Sequence, residues 1–447
     1  MAKRTAKGRT SVKDSDEASY TYDLMKGEEF GYNDAVDRKI ISDEELNSRY
    51  VKGDIRIVSE SARYSLAGIL AMLQEEVAVE GDRHGATERR YKLDPEYQRR
   101  HRWTNQRKSK LIESFLMNIP VPPVFLYERD LARFEVMDGR QRLTALAEFY
   151  DNKFPLEGLE YWSDLDGRTY SELPSKVRDG IDRRYISSII LLKETAANEE
   201  QAALLKKIVF ERLNSGGVKL SPQETRNAVY GGPLNQLCIR LSTNEKFRRM
   251  WGIPIDVENK HKDEDALEDN FDPNEENSPT LSGERMFEKM EDVEVVLRFF
   301  AYRHIHRSKS GLNKISEFLD NFLSQGNKFT VSILTEYENS FNATIDFLYD
   351  CLGVEAFSVL TETKQARPTK IVYDPIMFIA NAPDVVAARS KIVANKAALR
   401  RALISMYAAD QERSRPAFSG RRTNNADIAV RNRAMRAAFE SILRTVA

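Results

Sequence analysis

At 447 residues, with 41% hydrophobic and 31% charged side chains, the chain is long enough for two or three domains with substantial cores. Its 68 lysines and arginines and 69 aspartates and glutamates leave a net charge of -1, which excludes nucleic-acid binding driven by a global basic field; any such contact must come from a local patch. Cys238 and Cys351 lie far apart and outside any Cys-x-x-Cys pair, so neither a disulfide framework nor a cysteine zinc site is expected. With no apolar run of bilayer-spanning length and no signal-peptide core behind the basic start, the expected setting is cytoplasmic, away from membranes.

Residues 1–37 are polar, with Lys3, Arg4, Lys7, Arg9 and Lys13 ahead of acidic and tyrosine-containing sequence, and are expected to form a disordered charged arm. Residues 38–50 have a helical pattern and 55–58 a short strand pattern, while 65–73 begin with a cap residue and continue as an amphipathic helix. Arg99, Arg100, His101 and Arg102 then cluster between Tyr97 and Trp103. Pro95 disfavours helix just before it, which places Gln98 and Arg99 on an extended or loop segment. Thr104 caps a predicted helix through Met117, with Leu111, Phe115 and Leu116 in its apolar stripe. A loop carrying Gln98, Arg99 and Trp103 at a helix start can stack a base and pair a phosphate; equally, Tyr97 and Trp103 can anchor the loop and leave its cations in solvent.

Residues 122–127 and 133–137 are β-rich runs broken by Glu128, Arg129 and Asp130, a hairpin pattern. Asp138-Gly139-Arg140-Gln141-Arg142-Leu143-Thr144 follows, and Leu143, Leu146, Ala147, Phe149 and Tyr150 recur at helical spacing, so the motif falls on a strand-to-helix turn. The first turn of a helix has unpaired backbone N–H groups and the positive end of the helix dipole, which stabilise an anion. Gly139 permits a tight turn or a close backbone approach, Arg140 and Arg142 supply forked donors suited to phosphate, and Asp138 can hold a water or a metal ion. Against this, Asp-Gly is also an ordinary turn, Asp138 an ordinary helix cap and the arginines an ordinary solvated first turn.

Residues 162–173 read as loop with a turn at Asp166-Gly167, and 185–192 as a strand. Leu204, Leu205, Ile208 and Val209 mark a helix that Asn214-Ser215-Gly216-Gly217 should end, and Ser221-Pro222-Gln223-Glu224 opens another in capping-box form. Exposed amides of that glycine-rich turn can close over a ligand, although the capping signals account for most of it without one. After Pro233 the chain is predicted helical to Met250, and 256–280 is a run dense in Asp and Glu without an ordered cation-ligand spacing. From Gly283 onward helices are predicted, including 315–322, 329–348, 385–406 and 426–446. His304 and His306 stand two apart, which on a helix separates their faces, and neither a His-Glu-x-x-His motif nor a Gly-x-x-x-x-Gly-Lys-Ser/Thr phosphate loop is present.

Tyr97-Gln98-Arg99 with Trp103, the Asp138 to Thr144 motif, Phe210-Glu211-Arg212-Leu213-Asn214-x-Gly216, and Asp292-Val293-Glu294-Val295-Val296-Leu297-Arg298-Phe299 together resemble the domain-of-unknown-function 262 family. That family forms the N-terminal half of GmrSD-type restriction enzymes and is similar in its core to ParB and sulfiredoxin. The resemblance spans most of residues 50–310 and implies an α+β fold, in which a small mixed-sheet ParB/sulfiredoxin-like core precedes a mainly α-helical C-terminal domain. It also implies nucleoside triphosphate binding and hydrolysis in prokaryotic defence against foreign DNA, a restriction-modification role. Two positions depart from the family pattern: Arg140 stands where a glutamine is usual, and His101 where a tyrosine is common. The C-terminal half carries no His-Asn-His nuclease motif, so any cutting of DNA is expected from a partner chain.

The domains implied are a charged arm (1–37), a nucleotide-binding domain (38–250), an acidic flexible insertion (251–282) and a helical domain (283–447). In the expected site Arg142 and Arg99 hold phosphates with Arg140 beside them, Asp138 orients the attacking water or a Mg²⁺ ion, and Gln141 positions the water. Gln98, Trp103, Gly139 and Asn214 complete the nucleotide pocket. The expected activity is weak, divalent-cation-dependent NTP hydrolysis, with nucleotide, DNA, a nuclease or other effector chain, and a second copy as partners. The alternative is a non-hydrolysing nucleotide- or DNA-sensing switch that docks an effector.

Overall fold

The computed structural model describes residues 25–31, 42–52, 57–79, 86–93, 103–193, 198–213, 221–255, 280–307, 315–362, 366–419 and 425–446. Gln98, Arg99 and Asn214, and the acidic run 256–279, lie outside the described residues. Two compact units are present, Ala35–Glu294 and a second formed by Met1–Asp34 with Val295–Ala447.

The strands of the first unit are β1 (Ser59–Ser65), β2 (Glu76–Ala78), β3 (Thr87–Arg89), β4 (Tyr91–Lys92), β5 (Val124–Asp130), β6 (Arg133–Asp138) and β7 (Tyr185–Leu191). β2 and β3 pair alone, and the other five form a mixed sheet in the order β1-β7-β5-β6-β4. The predicted hairpin is β5–β6, antiparallel, turning through Leu131 and Ala132, with Ala132 at φ 55°. β5 runs parallel to β7, and β4 parallel to β6 with Tyr91 opposite Phe134. The helices of this unit are α1 (Asp43–Lys52), α2 (Ile69–Gln74), α3 (Asn105–Leu116), α4 (Arg140–Tyr150), α5 (Ser175–Asp182), α6 (Glu199–Leu213), α7 (Pro222–Val229), α8 (Pro233–Leu241), α9 (Glu245–Trp251) and α10 (Leu281–Glu288). The unit boundary falls inside α11 (Glu291–Ala301).

Alternation along the strands sends side chains to two separate cores. Val124, Leu126, Val136, Ile186 and Ile190 pack with Ile112 and Phe115 of α3 and with Leu143, Leu146 and Phe149 of α4. Phe125, Tyr127, Met137 and Leu191 pack with Val209 and Phe210 of α6 and Ala228 of α7. The middle of the sheet is thus covered on both faces, which suits the continuous apolar run Ile189–Leu191 at the end of β7. Local signals set the helix starts as expected: Thr104 Oγ1 accepts from Arg107 N–H at 3.3 Å, and Ser221 and Glu224 form a reciprocal capping box behind Pro222.

The differences from the sequence reading have physical causes. Ile57 and Val58 are not in a strand; the strand starts at Ser59, an exposed edge segment held by antiparallel pairing to β7 rather than by apolar content. The helix expected over 65–73 opens as a 3-10 turn, Leu66–Gly68, before α2. The helix expected from 233 to 250 is two, because Asn244 caps α9 by accepting from Phe247 N–H at 3.0 Å.

The second unit is helical: α12 (Ile315–Gly326), α13 (Val331–Leu352), α14 (Lys370–Ala380), α15 (Pro383–Ala394), α16 (Lys396–Gln411) and α17 (Asn425–Val446) follow α11. The helix expected over 385–406 is broken at Asn395 into α15 and α16, and α14 holds Pro375 in its interior. Arg298 of α11 clamps Asp374 of α14 through Nε at 3.0 Å and a second bond from Nη2, with Tyr302 Oη 2.7 Å away. Among the described residues no single helix is long and apolar enough to cross a membrane; α14 and α15 pass that test only together, across a 97° bend.

Candidate functional site

The end of β6 is built to turn abruptly. Phe125 pairs with Asp138 but Leu126 pairs with Val136, so Met137 is an extra residue that bends the strand just before the motif. Gly139 follows at φ 91°, ψ 9°, and occupies the cap position of α4 without any side-chain cap. A Cβ there would lie 2.5 Å from Val124 Cγ1 and 2.9 Å from Val124 Cβ, so the left-handed turn and the close approach to β5 both require glycine. Asp138 therefore precedes the cap instead of supplying it, which removes the ordinary capping account of this residue.

Arg142 is not a solvated first-turn arginine either. Its side chain is 13% exposed, donates from Nη1 to the carbonyls of Pro122 and Pro123, the latter at 3.2 Å, and from Nη2 to Asp138 Oδ2 at 2.7 Å. Burial pulls its pKa below the ordinary arginine value, and the Asp138 charge and hydrogen bond push back. Asp138 is 42% exposed; among the described residues Oδ1 has no hydrogen-bond partner. One oxygen is thus fixed by a fork anchored to the backbone, while the side chain as a whole stays 42% exposed two residues before α4 begins.

The neighbouring motifs converge on this turn. Trp103 donates its backbone N–H to Gln141 Oε1 at 3.3 Å, and Arg107 lies over the indole, 5.1 Å from its centroid. β4 ends at Lys92, opposite Glu135 of β6, so both described flanks of residues 94–102 are tied beside the site. On the other face Phe210, near the end of α6, packs in one cluster with Met137. Lys206 of α6 reaches across to Glu135 with Nζ 2.7 and 2.8 Å from the two carboxylate oxygens, over the ring of Tyr127.

Of the expected residues, Asp138, Gly139, Arg140, Gln141, Arg142 and Trp103 fall around one turn, while Gln98, Arg99 and Asn214 are outside the described residues. Sequence reasoning missed the carbonyls of Pro122 and Pro123 as partners of Arg142, the contact of Val124 with Gly139, and the Lys206–Glu135 pair. Pro122-Pro123 was a readable signal, because consecutive prolines hold an extended strand whose carbonyls stay open for a donor. Among the described residues no group of three or more His, Cys, Asp or Glu side chains is arranged to hold a metal ion. Asp138 Oδ1 could serve a cation as one ligand among phosphate oxygens and waters, the usual way Mg²⁺ is held.

Residues 83–231 match the family model of the GmrSD restriction endonuclease, N-terminal domain, and are similar to it over that third of the chain. The matched span holds Trp103, the Asp138 turn and the Phe210 motif, while the Asp292 to Phe299 motif lies beyond it. No curated protein and no solved structure matches the chain.

Proposed function

We propose that the turn after β6 binds the phosphates of a nucleoside triphosphate and that the chain is a ParB-like nucleotide module of a restriction-type defence protein, hydrolysing NTP slowly. The observation that carries this reading is the half-held carboxylate: Asp138 Oδ2 is fixed by Arg142, Oδ1 has no hydrogen-bond partner among the described residues, and the side chain is 42% exposed. The backbone N–H groups of the turn, Arg140 and Arg99 would meet phosphate charge, with Gln98, Trp103 and Asn214 shaping the pocket. Arg142 would act chiefly by aiming Asp138, and Gln141 by tying Trp103 to the turn.

In hydrolysis the bond to the leaving diphosphate oxygen breaks as water adds to the γ-phosphorus. Asp138 Oδ1 would either orient that water or hold a Mg²⁺ ion, which when bound supplies charge neutralisation for the phosphates. The chain would work with a nuclease or other effector partner, and DNA would enter as a regulator of turnover.

The test is phosphate release from ATP, GTP, CTP and UTP with Mg²⁺, with and without DNA, together with binding of a fluorescent NTP analogue. Turnover abolished in Asp138→Asn, with analogue binding retained, is expected. Binding without turnover in the native protein would replace the hydrolase by a non-hydrolysing switch. Absence of binding to the folded protein would overturn the assignment of the turn to nucleotide.

A further inference from the structure

The helical unit contains a second built site, remote in sequence from the Asp138 motif and occupied by the chain itself. Met25 to Glu28 form a β-turn, with Glu28 N–H bonded to Met25 O at 2.9 Å and Gly27 at φ 89°. The turn throws the Glu28 side chain inward, where it is completely buried. Its carboxylate accepts from Arg303 Nε at 3.0 Å and Nη2 at 3.3 Å, from Tyr337 Oη at 2.8 Å and from Met25 N–H at 3.0 Å, and His304 Nε2 lies 3.3 Å away. Two residues on, the Phe30 ring meets His304, Phe318 and Phe322 edge-on, with centroids 5.4 to 5.6 Å apart. Gln325 then brackets Gly31, accepting its N–H at 3.1 Å and donating to its carbonyl at 2.7 Å. Glu29 and Lys26, between these contacts, are exposed.

This is the arrangement of a peptide site: an anion socket, an aromatic cage and a backbone clamp in succession, read by a Glu-x-Phe-Gly segment. A carboxylate in such surroundings is stabilised by charge-assisted bonds that an uncharged side chain of the same shape cannot make. The segment touches α12, α13 and the 3-10 turn Tyr302–Arg307. Every contact named comes from Met25, Glu28, Phe30 and Gly31 themselves, so nothing in the recognition depends on the segment being covalently attached.

We propose that the pocket formed by Arg303, His304, Tyr337, Phe318, Phe322 and Gln325 is a recognition site for Glu-x-Phe peptides, whose ligand is the chain's own Met25–Gly31, held as a tethered peptide. The ligand is separable from the pocket and binds equally when supplied as a free peptide. The test uses the full-length protein with Glu28→Ala and Phe30→Ala together, which empties the site from within, and a fluorescein-labelled peptide of the sequence of residues 25–31. The labelled peptide should bind the double variant at least tenfold more tightly than it binds the native protein, whose own segment competes. Adding Arg303→Ala to the variant, or replacing the glutamate that corresponds to Glu28 by glutamine in the peptide, should each weaken that binding at least tenfold. Equal binding to native and variant proteins, binding indifferent to Arg303→Ala, or no binding to a double variant with native circular dichroism would overturn the proposal. If the double variant fails to fold, the same titration is run on Glu28→Gln, which keeps the shape of the side chain, and failure to bind there overturns it equally.

Discussion

Gly139→Ala is the sharpest probe of the turn, because its cost can be worked out atom by atom. At φ 91° an alanine carries the left-handed penalty, about 1–2 kcal/mol. Its Cβ would also sit 2.5 Å from Val124 Cγ1, and Val124 is fully buried in β5, so the overlap must be relieved inside a packed core at about 1–3 kcal/mol. The expected loss is therefore about 2–5 kcal/mol. Trp103, Trp162 and Trp251 all belong to the unit Ala35–Glu294, so tryptophan fluorescence during urea unfolding reports this unit alone. Val124→Ala removes the atom nearest the new Cβ, and the double variant should lose less than the two single losses added together, by about 1 kcal/mol or more. The left-handed part of the penalty should remain. A Gly139→Ala protein within about 0.5 kcal/mol of native, or strictly additive losses, would refute the geometry from which these figures are drawn.

Three further outcomes follow from buried groups. The Glu28 carboxyl is held at about 2, below its ordinary 4.5: burial alone would raise it, but the hydrogen bond to His304, the Arg303 charge and the Met25 N–H outweigh that. A depressed acid stabilises fully above the unfolded pKa and loses that contribution as pH falls through the folded one, so the window runs from about 4.5 down to about 2. With Arg303, His304 and Tyr337 the groups facing it, urea melts followed by circular dichroism should lose about 3 kcal/mol across the window, and Glu28→Gln should flatten the slope. Arg298→Ala strands Asp374 in the helical unit and should cost about 3–5 kcal/mol in a denaturant melt, whereas Arg298→Met with Asp374→Leu should cost less than the single change. Burial pushes the Cys238 thiol far up and that of Cys351 to about 12, so a thiol-specific reagent near neutral pH should label neither until denaturant is added.

What could be read from the sequence was what local chemistry decides. Thr104 and Ser221-Pro222-Gln223-Glu224 announce helix starts because their side chains satisfy backbone groups three residues on, and β5–β6 announces a hairpin because its apolar runs are short and close together. The Asp138 motif was legible as a strand-to-helix turn for the same reason. β1 was not legible, since an exposed edge strand of serine, glutamate and arginine is fixed by its partner β7 and has little pattern of its own. α14 was hidden by Pro375, which is tolerated in a helix that is buried on nearly all sides. Within the site, sequence supplies the Arg142 guanidinium but not its partners; the Pro122 and Pro123 carbonyls, some twenty residues earlier, take up one of its nitrogens. Glu28 shows the same limit at longer range, for its partners Arg303 and Tyr337 lie 275 and 309 residues away.

The geometry separates the residues that make the turn from those that would use it, and this separation can be measured. Gly139 and Arg142 are structural in the strict sense: one has no room for a Cβ, and the other bridges two strand-end carbonyls and Asp138. Their variants should lose stability and ligand affinity together, because the turn itself is displaced. Asp138 differs, since it is 42% exposed and its described contact is the ion pair with Arg142. Its partner Arg142 is buried, so losing the charge has a cost, but the amide oxygen of Asp138→Asn can still accept from Nη2 and the expected loss is about 1–3 kcal/mol. If the turn is only a fold element, nothing else should change. If Oδ1 acts on water or cation beside a bound triphosphate, turnover should fall by orders of magnitude, far beyond what that loss of stability in a still-folded protein produces. That dissociation of activity from stability is the signature of a site, and a structural turn cannot produce it.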